Sequence, residues 1–340
     1  MSMVIDEFDY YLPSERIAQS PLARRDSSKL LLLNKKTGTM EHKIFHEIVD
    51  CLDTKDILVF NDTKVIPARL FGKKESGAKI EIFLLRRLSI SDWEVLVRPG
   101  KKAQLGVIIS FAQDMSCEII AKTQFGGRIA RFYYKGVFEE QLASLGEVPL
   151  PPYIHEKLLD FSRYQTIYAQ HDGSVAAPTA GLHFTEELLS RIKSKRVQLA
   201  FVTLHVGLGT FRPVRVDTVE EHKMHNEYYT VTKETAAAIN NARQKGGRVI
   251  AVGTTAVRVL ESVGTGGTMH EAEGSTEIFI YPGYQFKMVD ALVTNFHLPK
   301  STLLMLVSAL SQKEMIFSAY NTAIENDYRF FSFGDAMFIY

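Results

Sequence analysis

The chain has 340 residues, 46% hydrophobic and 23% charged, with a formal net charge of +1. This is enough apolar material for a large core divided between two domains, and the near-zero charge excludes a generic polyanion binder while leaving room for a local basic site. Cys51 and Cys117 match no metal or redox spacing, the N-terminal MSMVIDEFDYYLP lacks the apolar core of a signal peptide, and no run approaches the ~20 apolar residues of a membrane span.

Residues 14–18 read as a short helix stopped at Pro21, because the residue before a proline resists helical geometry. Residues 29–33 read as a strand. Residues 45–52 read as a helix with Phe45, Ile48, Val49 and Leu52 on one side, and 56–60 (DILVF) as a strand buried in a parallel or mixed sheet. The character changes after Pro67. Short β-type runs at 78–84, 93–97, 107–111, 117–121 and 128–133 are separated by the turn-rich SISD, RPGKKAQLG and FGG, with no convincing helix between them. That pattern indicates a small antiparallel sheet or barrel. Pro149, Pro151 and Pro152 close it, so 68–150 reads as a β-barrel domain inserted into a discontinuous α/β domain of 1–67 plus 151–340.

From Tyr153 onward helix and strand signals alternate. Strands are expected at 197–206, 227–231, 248–252, 276–280 and 291–294. Helices are expected from Thr185, from Thr232 to the Gly246-Gly247 stop, from Gly253-Thr254-Thr255 onward, from Ser301 to Gln312, and over 314–327. The fold class is α/β, a mixed sheet flanked by helices and interrupted by the inserted antiparallel barrel. No exposed heptad or partner helix is visible, so a monomer is expected, in the cytoplasm and away from membranes.

Residues 173–185, GSVAAPTAGLHFT, suit neither an amphipathic helix nor an alternating strand. Small residues crowd around Pro178 and His183, as in an ordered loop whose backbone approaches a ligand. A packed structural turn is the equal alternative. Three strand ends also stand out: TLHVGLGTF (203–211), AVGTTAVR (251–258) and TNFHLPKST (294–302). Ligands of open α/β sheets collect outside the carboxyl ends of strands. Gly253, Thr254 and Thr255 there supply two hydroxyls and bare backbone, suited to a carboxylate or phosphate. Neither GxxxxGK[ST] nor GxGxxG is present, so a nucleoside triphosphate or dinucleotide has little support.

Five of the ten histidines, His183, His205, His222, His225 and His297, lie in or near these loops. Histidine is the side chain best tuned for proton transfer near neutrality. For any single one a structural hydrogen bond is the commoner role, but their concentration favours a site. His222 and His225 have a metal-compatible spacing without HExxH or a cysteine partner, so no metal is expected. Asp335 and Glu227 are further acid/base candidates, each more often a capping or ion-pair residue.

Nine stretches, in order, carry a resemblance: FDYYLPSERIAQSPLARRDSSKLL, FNDTKVIPARLFG, PLPPYIHEK, YQTIYAQHDGSVAAPTAGLHFT, TLHVGLGTFRPV, HKMHNEYY, AVGTTAVRVLES, FIYPGYQFKMVDALVTNFHLPKSTLLMLVSAL and YRFFSFGDAM. Together they resemble the S-adenosylmethionine:tRNA ribosyltransferase-isomerase family of queuosine biosynthesis. The barrel segment matches least, apart from its edges and GAKIEIFLL. The resemblance implies an α/β domain interrupted by a β-barrel. It also implies transfer and isomerisation of the ribosyl moiety of S-adenosylmethionine onto 7-aminomethyl-7-deazaguanine at the tRNA wobble position. The products are epoxyqueuosine-tRNA, adenine and methionine, with S-adenosylmethionine as co-substrate and a tRNA anticodon stem-loop as partner.

Such chemistry needs a base for the proton next to the sulfonium, help for departing adenine, and an acceptor for the proton of the attacking amine. On that resemblance His183 is expected to transfer a proton, assisted by His205 or His225. Thr254, Thr255 and Arg258 are expected to hold the methionine carboxylate, with Arg258 alternatively facing tRNA phosphate. Phe184 and Tyr284 are expected to stack on adenine or the modified base, or else to be core. Ala180, Gly181, Gly207, Gly209, Thr210, Gly253, Asn295 and His297 complete the expected substrate wall. A conventional S-adenosylmethionine-dependent RNA methyltransferase is the rival, although the usual glycine-rich loop is missing. A metal-dependent hydrolase and a non-catalytic RNA-binding module are weaker alternatives.

Overall fold

The computed structural model describes residues 2–340 except 113, 124, 125, 157, 208–213 and 215. Three strands come first, β1 (Lys29–Leu33), β2 (Met40–Ile44) and β3 (Ile57–Asn61), followed by the short β4 (Thr63–Val65). Six more follow: β5 (Arg69–Lys73), β6 (Lys79–Arg87), β7 (Asp92–Arg98), β8 (Ile108–Ser110), β9 (Ser116–Lys122) and β10 (Arg128–Tyr133). After helix α1 (Phe138–Leu145) come β11 (His171–Ser174), α2 (Glu186–Ser194), β12 (Gln198–Leu204), β13 (Glu227–Val231) and α3 (Lys233–Gln244). The chain ends with β14 (Val249–Val252), α4 (Thr254–Val263), β15 (Ala272–Thr276), β16 (Ala291–Asn295), α5 (Thr302–Leu310), α6 (Lys313–Glu325) and β17 (Ala336–Ile339).

Two compact units result. One comprises Met1–Thr63, Pro152–His171 and Ala177–Tyr340, the other Lys64–Pro151 and Asp172–Ala176. The first holds a nine-stranded mixed sheet in the order β15-β13-β12-β3-β14-β16-β17-β1-β2. Its centre, β12-β3-β14-β16, is parallel. β3, β14 and β16 are buried at every position, as strands covered on both faces must be, and this explains their unbroken apolar runs. On one face Leu188, Leu189 and Ile192 of α2 pack with Phe45, Ile48, Leu58, Phe60, Ile250 and Val252. α3 and α4 pack against β12 and β14. From β3 the sheet is continued through α2 to β12 on one side, and from β14 through α4 to β16 on the other. The β3/β14 boundary is therefore a topological switch point, the place in such sheets where ligands collect outside the carboxyl ends of the strands.

The second unit holds a closed antiparallel barrel in the order β10-β7-β6-β5-β8-β9. Its interior is filled by alternate residues such as Ile80, Ile82 and Leu84 of β6 and Trp93 and Val95 of β7. A Cβ at Gly72 would run into Ile109 and Phe111, so the barrel is packed and has no ligand channel there.

Several elements differ from the sequence reading. Residues 45–51 form a 3-10 helix rather than an α-helix, and 14–16 a single 3-10 turn. α1 was not expected: only Phe138 and Leu142 are buried along it, too few to set a helical period, and Phe138 stacks on Trp93 at 5.5 Å. The strand expected at 276–280 lies instead at Ala272–Thr276, in register with β13. The Thr276 hydroxyl accepts from the Ile278 backbone N–H at 3.0 Å and ends the ladder. β2, β5, β11 and β17 are too short or too polar to announce themselves. No helix among the described residues is long and apolar enough to cross a membrane.

Candidate active site at the carboxyl edge of the sheet

Because the central strands are parallel, their carboxyl ends share one edge. Asn61 ends β3 and Asp62-Thr63 follow it, His205-Val206-Gly207 follows β12, Gly253 follows β14, and Asn295 ends β16 with Phe296-His297 after it. Gly253 has φ +88°, a left-handed backbone that favours glycine. A Cβ there would stand 3.5 Å from the Ala180 Cβ, so the small-residue loop closely covers this turn. Gly253 caps α4 with no side-chain hydrogen bond, unlike α2, α3 and α5, capped by Thr185, Thr232 and Ser301. The first N–H groups of α4 and its dipole are therefore available to an anion. Thr254 is buried, and the Thr255 Oγ1 is buried without a hydrogen-bond partner among the described residues.

One turn along α4, Arg258 is 5% exposed and ion-paired with Glu227 of β13. Burial pulls its guanidinium down to about 10, so it remains charged at neutral pH. Its Nε and Nη2 have no hydrogen-bond partner among the described residues. Glu227 Oε1 accepts the Gly207 N–H at 3.0 Å, which ties together the ends of β12, β13 and α4. Glu227 is thus the ion-pair residue foreseen as its commoner role.

The loop 173–185 tightens into a 3-10 turn over Thr179–His183. Ala180 and Gly181 are buried, and a Cβ at Gly181 would collide with the Tyr168 hydroxyl. His183 stacks on Phe45 with ring centroids 4.8 Å apart. Its Nδ1 lies 2.7 Å from the Ser28 hydroxyl and its Nε2 3.1 Å from Asn295 Nδ2. Asn295 is oriented by Thr179, which donates to its Oδ1, and by the Phe331 carbonyl, which accepts from its Nδ2. The amide therefore donates to Nε2, and the imidazole proton sits on Nδ1. Burial first, then Arg329 and Arg25, push His183 down to about 3. It is a neutral ring with both nitrogens engaged, at the position where the resemblance led to the expectation of a proton-transfer residue.

Phe184 is fully buried, edge-on to Phe45 and Phe60 at 5.0 Å each, so it belongs to the core and has no face free for a base. Tyr284 donates to Glu261 near the far end of α4 at 3.0 Å, and the structure does not bring it to the Gly253 turn. His297 is buried, its Nε2 2.8 Å from Thr294 Oγ1, and burial pushes it down to about 3. His225 is exposed just before β13. Asp335 accepts the Lys29 and Arg329 backbone N–H groups, a capping role. Gly209 and Thr210 lie outside the described residues. No group of three or more His, Cys, Asp or Glu among the described residues is placed to hold a metal ion.

His205 does have company. Its Nδ1 lies 2.8 Å from Thr63 Oγ1, beside Asp62. Asp62 is 6% exposed and accepts from Thr203 Oγ1 at 2.7 Å, while His171 Nε2 stands 3.7 Å from its other oxygen. Burial raises its carboxyl above the ordinary range, against the opposing Thr203 hydrogen bond and His171 charge. Asn61 locks this corner by bonding both the N–H and C=O of Leu204. The sequence reading passed over Asp62. Its one local signal was a carboxylate separated by Asn61 alone from the apolar run 57–60.

The sequence model of the queuosine biosynthesis protein family matches residues 5–339. The chain is 60% identical to the S-adenosylmethionine:tRNA ribosyltransferase-isomerase of Caldanaerobacter subterraneus subsp. tengcongensis, over 98% of both chains. It is 58% identical to the protein of the same name from Thermoanaerobacter sp., again over 98% of both. A solved structure, S-adenosylmethionine tRNA ribosyltransferase from Thermotoga maritima, aligns with a TM-score of 0.58 at 42% identity, covering 98% of this chain and 100% of that one. With a full-length family match and near-complete alignment to these relatives, the chain belongs to the queuosine biosynthesis protein family.

Proposed function

We propose that this chain transfers and isomerises the ribosyl moiety of S-adenosylmethionine onto 7-aminomethyl-7-deazaguanine at the wobble position of tRNA, giving epoxyqueuosine-tRNA with release of adenine and methionine. The observation that carries this reading is the 60% identity, over 98% of both chains, to an enzyme named for that reaction. A tRNA substrate places the work in the cytoplasm. S-adenosylmethionine is a co-substrate.

The carboxyl edge of the sheet fits this substrate. The uncapped start of α4, with Thr255 Oγ1 and the unpaired donors of Arg258, offers N–H and O–H groups to the amino-acid carboxylate. The close-packed Ala180-Gly181 loop beside Gly253 is the wall that would keep out water, which otherwise consumes a reactive intermediate. The sulfonium acidifies the adjacent C5′ hydrogens, and Asp62 is the group suited to take one. Burial raises its carboxyl, which makes its ionised form a stronger base than a surface aspartate. His205, beside it through Thr63, is placed to accept the proton of the attacking amine or to donate toward departing adenine. His183 positions the loop and stays neutral.

The test mixes the protein with S-adenosylmethionine and an RNA stem-loop carrying the aminomethyl base. Equimolar free adenine and methionine are expected. S-adenosylhomocysteine would identify a methyltransferase, and no product at all would overturn an enzymatic reading.

A further inference from the structure

The other side of the His183 loop borders a feature that the reaction chemistry does not use. A cleft of about 300 Å³, open mouth included, is lined by Arg25, Arg163 and Arg329 with Ser28, Ser332 and Gly334. The three arginines come from segments far apart in the chain: the 3-10 turn Arg25–Ser27, the 3-10 turn Phe161–Tyr164, and the loop after α6. All three are half-buried. None forms an ion pair among the described residues, whereas neighbouring Arg24 pairs with Asp26 and Glu187, and Arg16 with Asp327.

Backbone carbonyls fix them instead. Arg25 donates to Gln165 and Ser162 carbonyls at 2.8 and 3.0 Å, Arg163 to Leu22 and Ala23 at 2.5 and 3.3 Å, and Arg329 to Ser20 at 3.3 Å. The nearby carboxylates are otherwise engaged. Asp160 accepts the Ser162 N–H, and Asp335 accepts the Lys29 and Arg329 N–H groups. After burial, the Arg163 charge weighs on Arg25 more than Asp160 relieves it, so the guanidinium groups repel one another with only partial compensation, a cost that an incoming anion removes.

We propose that this cleft binds a backbone phosphate of the RNA substrate. The inference rests on the tRNA reading given above. Guanidinium forks on several sides match the non-bridging oxygens of a phosphodiester, and an open mouth admits a polymer that cannot thread into a closed cavity. The amino-acid carboxylate has its own donors at the start of α4. The net charge of +1 makes the local concentration meaningful, since the rest of the surface is nearly balanced. Ser28 and His183 share a hydrogen bond and both line the cleft, so phosphate docking would press on the loop that covers Gly253.

The test measures binding of a fluorescent anticodon stem-loop RNA across a salt series, with S-adenosylmethionine affinity measured in parallel. Arg329→Ala loses one long carbonyl bond and leaves the fold intact; Arg163→Gln is the second variant, with thermal melting as a check on both. Each is expected to weaken RNA binding about tenfold and to lower the slope of log K against log salt by about one, the signature of one lost phosphate contact. Affinity for S-adenosylmethionine should be unchanged. Unchanged RNA affinity and slope in both folded variants would overturn the proposal. So would a loss confined to S-adenosylmethionine, which would assign the cleft to the amino-acid carboxylate. Failure of the wild-type protein to release adenine would instead strike the reaction assignment, since stem-loop binding is read independently of turnover.

Discussion

Asn295 donates its amide hydrogen to Nε2 of His183, and that bond determines what the most prominent histidine of the sequence can do. With Nε2 occupied and Nδ1–H given to Ser28, the ring has no nitrogen to spare. At about 3 it stays neutral throughout the physiological range. His183→Ala should therefore lower turnover through loss of loop position, and the pH profile of the residual activity should keep the shape of the wild type between pH 5.5 and 8. A titration step lost with His183 would contradict this. Stability follows the same logic. The folded value lies below the ordinary histidine value, so the unfolded chain binds the proton first and stability falls as pH drops below about 6.5 toward 3, by up to one proton's slope. Thermal melts of His183→Gln should show a shallower acid decline than wild type.

Asp62 is expected to be the group whose loss hurts chemistry most. Asp62→Asn keeps a hydrogen-bond acceptor for Thr203 and removes the base. Turnover should fall by about 10²–10⁴-fold, with S-adenosylmethionine affinity within a few-fold of wild type. The wild-type profile of kcat/KM should also lose activity on the acid side at a pH above the ordinary aspartate range, because burial raises this carboxyl and only its ionised form accepts a proton. Single-turnover adenine release measured from pH 4.5 to 8 checks both. Near wild-type turnover in Asp62→Asn would remove Asp62 from the chemistry.

The contrast between His183 and Asp62 shows where sequence information stops. The central strands β3, β14 and β16 were legible because burial on both faces demands uninterrupted apolar runs. The barrel was legible through its turns. The Gly253 turn was legible because a glycine at a strand end followed by two threonines has few other uses. Burial of one side chain and the identity of its partners depend on residues more than a hundred positions away, such as Thr203 for Asp62 and Asn295 for His183. A lone histidine in a loop of small residues attracts notice, yet the fold engaged both nitrogens of this one. An aspartate in NDTK attracts none, yet the fold buried it beside His171. Phe184 followed the same pattern, its place in the motif giving no hint that Phe45 and Phe60 enclose it.

Gly253 offers a test of backbone against contact. At φ +88° an alanine is strained by about 1–2 kcal/mol, while its Cβ would meet Ala180 only at ordinary van der Waals distance. Gly253→Ala should therefore fold with a modestly lower melting temperature. It should also lose S-adenosylmethionine affinity as the first turn of α4 shifts. Gly181→Ala, which drives a Cβ into the Tyr168 hydroxyl, should be the more destabilising of the two. Chemical denaturation ranks them, and the reverse order would mean that the loop yields more easily than the turn.

Arg258 and Glu227 allow stability and binding to be separated. Both are nearly fully buried and paired, so Arg258→Ala leaves an uncompensated carboxylate and should cost about 3–5 kcal/mol. Removing the charge as well, in Arg258→Met with Glu227→Gln, should recover most of that stability, because a buried ion pair is often no better than neutral residues of similar size. Glu227→Gln retains an oxygen for the Gly207 N–H. If Arg258 serves only the fold, the double variant should bind S-adenosylmethionine normally. The unpaired Nε and Nη2 argue for the other outcome: a stable protein whose KM for S-adenosylmethionine is raised at least tenfold, the effect of losing a charge-assisted hydrogen bond of about 1.5–3 kcal/mol. Recovery of stability and affinity together would mean that Arg258 has no part in holding the carboxylate.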